Sequence, residues 1–199
     1  QFVQAAEGTP VLIPSGPEDR FQLSAEHVAA AWGPATRGVL LASPSNPTGT
    51  SIARDELERI ARFVRDKGGV TLVDEIYLGL SYEGTPRSAL ALSDDLFVVS
   101  SFSKYFNMTG WRLGWVVAPE RHVRDLEKLA QNLYISPATV SQRAALACFR
   151  PETLALLAAA PVPPARGFYD ECMKIDGAGF SLGFMKSTAA LPFGSASAF

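Results

Sequence analysis

The sequence has few of the residues that most often reveal a metal centre or a disulfide framework. Only two of its 199 residues are cysteines, Cys148 and Cys172, and only two are histidines, His27 and His122. The two cysteines lack the spacing of metal ligands, so they indicate reduced thiols rather than a disulfide or a metal site. Neither histidine has another ligand type at metal spacing. We therefore expect a cytoplasmic protein that holds no metal ion.

An excess of one charge and a long apolar run are also missing. The formal net charge is −2, which gives no reason to expect nucleic acid or an acidic membrane surface as partner. No stretch of eighteen apolar residues occurs, and no basic start precedes an apolar stretch, so the sequence predicts neither a membrane span nor a secretion signal. Apolar residues make up 47% of the chain and charged residues 19%, a balance typical of globular proteins.

Charged residues are unevenly distributed along the chain. The 49 residues from 151 to 199 contain 7 charged side chains, whereas the first 150 residues contain 31. The sequence therefore predicts one domain over residues 1–150 and a divergent tail over residues 151–199. The tail is consistent with a poorly ordered linker, with the remnant of a second, smaller domain, or with a change of reading frame, and these alternatives remain open.

Short apolar segments alternate with amphipathic segments up to about residue 150. Strands are predicted at residues 11–13, 39–42, 70–73, 96–100 and 113–118, and helices at residues 25–32, 52–67, 120–133 and 139–149. This alternation predicts an open, mostly parallel α/β sheet. The last two strands lie too close in sequence for a helical crossover, so the final strand is predicted to run antiparallel to its predecessor.

Polar side chains follow three of the predicted strands at the point where each strand ends. Asn46 follows the strand at 39–42, Asp74 and Tyr77 follow the next, and Ser101 and Lys104 follow the third. In open α/β sheets, ligands bind at the carboxyl ends of the strands. We therefore expect these side chains to meet at one edge of the sheet.

Lys104 is the most informative of these residues. It closes a buried strand and lies between Phe102 and Phe106, and a lysine in such surroundings is costly without a partner or a chemical task. The task we infer is an imine with an aldehyde cofactor, after which the amine is free to move the α-proton of an amino acid substrate. Ser101 and Arg112 supply a hydroxyl and a forked cation for the phosphate of that cofactor.

The remaining polar residues suit the ring of a phosphorylated pyridine aldehyde. Asp74 is predicted to pair with the ring nitrogen and keep it protonated, so that the ring accepts the electrons left when the α-proton departs. Asn46 and Tyr77 are predicted to hydrogen-bond the phenolic oxygen. Taken singly, Asn46 reads as a turn residue, Asp74 as a solvated charge, Tyr77 as a core aromatic and Arg112 as a surface ion-pair partner. Their joint placement favours the cofactor site.

Three segments resemble the motifs of the class I/II aminotransferases, which are fold-type I enzymes dependent on pyridoxal phosphate. Residues 101–114 resemble the lysine-attachment motif, residues 43–49 the Asn-Pro-Thr-Gly loop and residues 73–77 the Asp-x-x-Tyr strand end, in the family's order. The resemblance extends over about residues 2–150. It implies a three-layer, mostly parallel sheet with helices on both faces, here an incomplete large domain that binds pyridoxal phosphate.

The resemblance also implies an activity and a set of roles. The activity is transfer of an amino group between an amino acid and a 2-oxo acid, through a Schiff base on Lys104, with Asp74 and Tyr77 as further catalytic residues. Family members are usually homodimers. The residues that the resemblance assigns to the cofactor are Asn46, Asp74, Tyr77, Ser101, Lys104 and Arg112.

Several family features have no counterpart in this sequence. The small-residue turn that binds the phosphate and the aromatic that stacks on the ring would precede Gln1, and the arginine that binds the substrate carboxylate would lie farther from Lys104 than the chain extends. We therefore expect this chain alone to be weakly active or inactive. Two alternatives stay open: another pyridoxal-phosphate enzyme of the same fold (a carbon–sulfur lyase, decarboxylase or synthase), and a fragment that binds the cofactor weakly or not at all.

Overall fold

A four-stranded sheet organises the structure, a computed structural model that describes residues 1–80 and 86–159. The strands lie side by side in sequence order, and they are β1 (Gly38–Ala42), β2 (Val70–Asp74), β3 (Leu96–Ser101) and β4 (Gly114–Val117). The first three strands are parallel, and β4 pairs antiparallel with β3. The prediction that the final strand reverses direction is therefore confirmed. Most of the predicted tail lies outside the described residues.

Helices connect and follow these strands. They are α1 (Phe2–Ala5), α2 (Ala25–Ala31), α3 (Arg54–Asp66), α4 (Glu120–Leu133), α5 (Thr139–Ala145) and α6 (Pro151–Ala159). Short 3-10 segments add Pro17–Asp19, Leu78–Leu80, Ala89–Ala91, Thr109–Trp111 and Leu146–Phe149. The helix predicted over 139–149 thus ends early as an α-helix and tightens into a 3-10 turn. In the described part of the chain, no helix is long and apolar enough to cross a membrane.

The strand predicted at residues 11–13 is wrong. The chain there is irregular, and the side chains of Val11 and Leu12 are 65% and 89% exposed. Pro10 and Pro14 flank this segment. Because proline has no backbone N–H to donate to a ladder, a three-residue segment between two prolines has too few hydrogen bonds to form a strand.

One face of the sheet is covered by α2 and α3. The apolar residues of α3 recur at helical spacing, and Leu57, Ile60 and Val64 are all buried. They belong to one hydrophobic core with Val73 of β2 and Val98 of β3. These strand residues pair in register, so their side chains point to the same face of the sheet. The core therefore holds the strand ends in fixed relative positions.

The opposite face is contacted by α4. Phe97 lies between Leu96 and Val98 in β3, so its side chain points away from the α3 core. Its ring lies 5.3 Å from the ring of His122, the third residue of α4. Helices therefore contact both faces of the mixed sheet.

A second, smaller core supports the loop between β3 and β4. Phe102 and Leu113 are fully buried at the two ends of this loop. The same core contains the buried residues Met108 of the loop, Ala145 at the end of α5 and Cys148 in the 3-10 segment Leu146–Phe149. Phe102 also makes an edge contact with Trp115 at a ring-centroid distance of 5.1 Å. The loop that carries Lys104 is therefore anchored at both ends by buried side chains.

Replacing Ile60 with alanine is expected to lower the free energy of unfolding by about 2–5 kcal/mol, because a fully buried side chain would leave a cavity against the sheet. Arg62→Ala on the same helix is the matched control. Arg62 is exposed and pairs with Glu58, so its loss should cost at most about 0.5 kcal/mol. Urea denaturation of both variants measures the difference, and equal losses would contradict this assignment of the core.

Candidate functional site

The loop after β1 is closed by its own backbone. The Ser45 N–H donates to the Thr50 carbonyl at 2.9 Å, and the Gly49 N–H donates to the Ser45 carbonyl at 2.8 Å. Gly49 has a φ of 69°, a left-handed conformation that glycine adopts without a steric penalty. The Gln22 amide donates to the Thr50 carbonyl at 2.6 Å and ties the loop to the preceding segment. Asn46 lies at the exposed tip of this closed loop.

Three of the predicted site residues meet beyond the strand ends. The Asn46 side-chain amide donates to the Tyr77 hydroxyl at 3.1 Å. The Lys104 ammonium lies over the Tyr77 ring, 5.6 Å from its centroid, within the range of a cation–π contact. Each residue comes from a different loop, after β1, β2 and β3 respectively. The structure thus brings together side chains that are 58 residues apart in the sequence.

Asp74 is the last residue of β2, the strand between β1 and β3. Its Oδ1 accepts a hydrogen bond from the Ile76 N–H at 3.0 Å. Burial raises the pKa of the Asp74 carboxyl, and the Ile76 N–H lowers it by a smaller amount. Asp74 pairs in register with Val99, so Ser101, two residues farther along β3, points to the same face of the sheet.

Ser101 is buried at the end of β3, and its hydroxyl is engaged within the protein. Its Oγ lies 3.0 Å from the Leu113 carbonyl and 2.8 Å from the Ser103 hydroxyl, and it accepts from the Ser103 N–H at 3.0 Å. A hydroxyl has a single proton to donate. Binding of a phosphate by Ser101 therefore requires that this proton turn away from the Leu113 carbonyl or from Ser103.

Arg112 lies at the end of the same loop in a left-handed conformation, with φ 53° and ψ 53°. It is exposed, and its Nη1 donates to the Thr109 carbonyl at 2.9 Å. The Thr109 hydroxyl in turn donates to the Ser103 carbonyl at 2.5 Å. Hydrogen bonds thus connect Ser101 with Arg112 through Ser103 and Thr109. Left-handed non-glycine residues cluster at functional sites, where the surrounding structure maintains the strain.

Glu75 is a buried acidic residue that the sequence did not identify. It is only 6% exposed. Its Oε1 accepts from the Ala89 N–H at 2.6 Å, and it also bonds to the Ser88 side chain. Burial raises the pKa of the Glu75 carboxyl, opposed by these hydrogen bonds, and the neighbouring charge of Asp74 raises it further. Adjacent side chains of a strand point to opposite faces of the sheet. The position of Glu75 directly after Asp74 was therefore the only sequence feature that indicated a different environment for the two carboxylates.

Ser43 is a second residue that the sequence did not identify. It is buried directly after β1, and its hydroxyl accepts from the Ile52 N–H at 3.0 Å, which closes the base of the Asn46 loop.

Within residues 1–80 and 86–159, no group of three or more histidine, cysteine or acidic side chains could hold a metal ion.

Comparison with known proteins identifies the family. The family described as aminotransferase class I and II matches residues 1–158. A valine–pyruvate aminotransferase of Mycobacterium tuberculosis is 47% identical over 148 residues, which are 73% of this chain and 38% of that protein. An aromatic-amino-acid aminotransferase of Thermococcus litoralis is 35% identical over 151 residues, which are 74% of this chain and 39% of that protein.

Solved structures lead to the same family. An aminotransferase from Mycobacterium tuberculosis has a TM-score of 0.73 at 42% identity, covering 78% of this chain and 41% of the other. An aspartate aminotransferase from Thermus thermophilus with maleate has a TM-score of 0.71 at 29% identity, covering 86% and 43%. The predicted fold type is thereby confirmed. The chain spans about two fifths of the length of these relatives, and it belongs to the class I and II aminotransferase family.

Proposed function

We propose that this chain is the cofactor-binding part of a pyridoxal-phosphate-dependent aminotransferase, in which Lys104 carries the cofactor. Enzymes of this class and fold use pyridoxal 5′-phosphate. The observation that supports the proposal most is the meeting of Asn46, Tyr77 and Lys104 beyond the carboxyl ends of three parallel strands. Residues 1–150 form the partial large domain in this proposal, and residues 151–199 the divergent tail.

The side chains at the strand ends match the chemical groups of pyridoxal phosphate. When bound, this cofactor supplies an aldehyde that condenses with a lysine amine and a protonated ring that accepts electrons from the substrate's α-carbon. Burial disfavours the charged form of Asp74, so a cation beside this carboxylate would recover the lost stabilisation. A protonated ring nitrogen is such a cation, and Asp74 is the residue that we propose to hold it.

Lys104, Asn46 and Tyr77 have distinct roles in this proposal. The Tyr77 ring beside the Lys104 amine limits where that amine can lie. The Tyr77 hydroxyl accepts from the Asn46 amide, and a hydroxyl that accepts one hydrogen bond can also donate, here to the cofactor's phenolic oxygen. The Lys104 amine would take up the proton from the substrate's α-carbon and return it during turnover.

Ser101 and Arg112 are proposed to hold the cofactor phosphate. Arg112 offers a planar fork that matches phosphate oxygens, and its Nη1 donates to the Thr109 carbonyl of the same loop. Ser101 contributes its hydroxyl after the proton has turned toward the phosphate.

Amino acids and 2-oxo acids are the proposed substrates. The relatives described above are named as aminotransferases, and their substrate names include valine, pyruvate and aromatic amino acids. These names support transamination over lyase, decarboxylase or synthase chemistry. We further propose a cytoplasmic protein that acts as a homodimer, without nucleic-acid or membrane partners.

Replacing Arg112 with glycine is expected to weaken phosphate binding with little change in stability. Glycine removes the left-handed penalty of about 1 kcal/mol, but the exposed hydrogen bond to Thr109 (about 0.5 kcal/mol) is lost and glycine loses about 0.5–1 kcal/mol more backbone entropy on folding. Loss of the charged fork should reduce affinity for pyridoxal phosphate about 10-fold or more. Arg112→Lys, which keeps the charge and the backbone strain, is the control. Thermal unfolding and equilibrium dialysis measure both effects; a glycine variant that binds as tightly as the original chain would remove Arg112 from the site.

The proposed function is tested by covalent labelling of the full chain. Pyridoxal phosphate is added, the bound form is reduced with borohydride, and the modified peptide is mapped by mass spectrometry. The proposal expects a single label on Lys104, even if turnover is slow. A label distributed over exposed lysines such as Lys67 and Lys128, with Lys104 unmodified, would overturn it.

A further inference from the structure

We propose that Gly79 is a positioning residue for Lys104. The lack of a side chain at position 79 lets the ring of Tyr105 pack directly against the backbone of the loop after β2, and this contact fixes Lys104 beside Tyr77. The inference rests on the proposed function only in giving Lys104 its task. The contact itself is a property of the apoprotein.

The space at Gly79 is already filled by Tyr105. A Cβ added at Gly79 would lie 2.7 Å from both Cγ and Cδ2 of the Tyr105 ring and 3.2 Å from its Cβ. Such distances to Cγ and Cδ2 are shorter than real Cβ contacts. These atoms are at the root of the side chain, so rotation of a flexible end cannot relieve the overlap. A residue larger than glycine at position 79 would therefore push Tyr105 as a whole.

Tyr105 is half-buried and belongs to an aromatic cluster that reaches the buried core. Its ring makes an edge contact with Phe106 at 5.0 Å, and the Phe106 ring packs on fully buried Phe102 at 5.2 Å. The adjacent turn is closed by a hydrogen bond from the Asn107 N–H to the Lys104 carbonyl at 3.0 Å. Because Phe102 anchors this cluster in the closely packed core, we expect a displaced Tyr105 to move the turn rather than the cluster. The residue directly before Tyr105 is Lys104.

The opposing loop is closed by its own backbone hydrogen bonds. Gly79 is the middle residue of the 3-10 segment Leu78–Leu80. The Leu80 N–H donates to the Tyr77 carbonyl at 2.9 Å, and the Leu78 N–H donates to the Glu75 carbonyl at 2.9 Å. The two loops therefore touch at two neighbouring points, Tyr77 against Lys104 and Gly79 against Tyr105. A change at the second point is transmitted to the first, where the amine lies over the ring.

Gly79→Ala and Gly110→Ala form a matched pair of variants. Gly110 lies in the same loop as Lys104, but a Cβ added there meets nothing within 4 Å. In the apoprotein, the rate of Lys104 acetylation by acetic anhydride is measured by mass spectrometry relative to Lys67, which lies at the end of α3. Gly79→Ala should change this ratio at least about threefold, and Gly110→Ala should leave it unchanged. With pyridoxal phosphate added, Gly79→Ala should also slow labelling of Lys104.

A second substitution, Tyr105→Ala, distinguishes an effect transmitted through the Gly79–Tyr105 contact from a general disturbance of the fold. Tyr105→Ala removes the ring, so that the double variant Gly79→Ala/Tyr105→Ala no longer has the 2.7 Å overlaps. The acetylation ratio of the double variant should return to that of Tyr105→Ala alone. Tyr105→Ala also tests the contact without added atoms if Gly79→Ala does not fold, and it too should change the ratio.

The outcomes distinguish this inference from the proposed function. Acetylation ratios that are equal in the original chain, Gly79→Ala and Tyr105→Ala would overturn the positioning role. A double variant whose ratio differs from that of Tyr105→Ala alone would also overturn it, since the effect of the added methyl group would then not pass through Tyr105. Failure of the original chain to be labelled at Lys104 by pyridoxal phosphate would instead overturn the proposed function and leave the acetylation result standing.

Discussion

Lys104→Ala is expected to abolish covalent attachment of pyridoxal phosphate. Lys104 follows β3, and its amine lies over the Tyr77 ring at the edge of the sheet. Without its amine, the aldehyde has no nucleophile at the site, so borohydride labelling should fall to the level of adventitious surface modification, about 100-fold lower or more. Peptide mapping by mass spectrometry measures the loss.

Lys128→Ala is the control for this experiment. Lys128 lies on α4 with its side chain 61% exposed and pairs with Asp125, so its removal should leave labelling of Lys104 unchanged. Thermal unfolding of both variants verifies that the fold persists. A Lys104→Ala chain that retains a specific, stoichiometric label would contradict the assignment of this lysine.

Asp74→Asn is expected to weaken cofactor binding while stabilising the apoprotein. Asparagine keeps the acceptor for the Ile76 N–H but removes the partly buried negative charge. Loss of a charge-assisted hydrogen bond to the ring nitrogen should reduce affinity for pyridoxal phosphate about 10- to 100-fold. The apoprotein no longer has to bury a charge, so its Tm at neutral pH should rise by about 2–4 °C.

The raised pKa of Asp74 also predicts how the stability of the apoprotein changes with pH. Burial raises the pKa of the Asp74 carboxyl in the folded state, so the folded chain binds more protons than the unfolded chain between the ordinary pKa and the raised one. Stability should therefore fall as pH rises through that window and stay low above it. The Asp74→Asn variant should lose this part of the dependence, while Glu75, whose pKa burial also raises, contributes in both chains.

Thermal unfolding of the apoprotein between about pH 4 and about pH 8 measures the effect. Asp55→Asn, at the exposed start of α3, serves as the control. Parallel curves for the original chain and Asp74→Asn, with unchanged cofactor affinity, would show that Asp74 faces neither a low-dielectric environment nor the cofactor ring.

The sheet and its polar edge were predictable because both depend on local patterns. Continuous apolar runs mark the strands β1, β2 and β3, and parallel pairing brings their carboxyl ends to one edge. The short connection after Lys104 excludes a crossover and so predicts the reversal of β4. The meeting of Asn46 with Tyr77 follows from this topology.

Other features depend on contacts that a local pattern does not contain. Residues 11–13 have strand-like side chains, but the flanking prolines remove hydrogen bonds that a strand needs. Glu75 looks like a surface charge until the Ala89 N–H, fourteen residues away, approaches its carboxylate. Gly79 looks like an ordinary turn residue, and only the packing of Tyr105 reveals why a side chain is not accommodated there.

A crystal structure of the full chain with pyridoxal phosphate bound tests the central claim most directly. Our account predicts continuous density between the Lys104 Nζ and the cofactor, with the ring nitrogen within hydrogen-bond distance of the Asp74 carboxylate and the phenolic oxygen beside Asn46 and Tyr77. Density for the cofactor away from Lys104, or a ring whose nitrogen lies remote from Asp74, would contradict it.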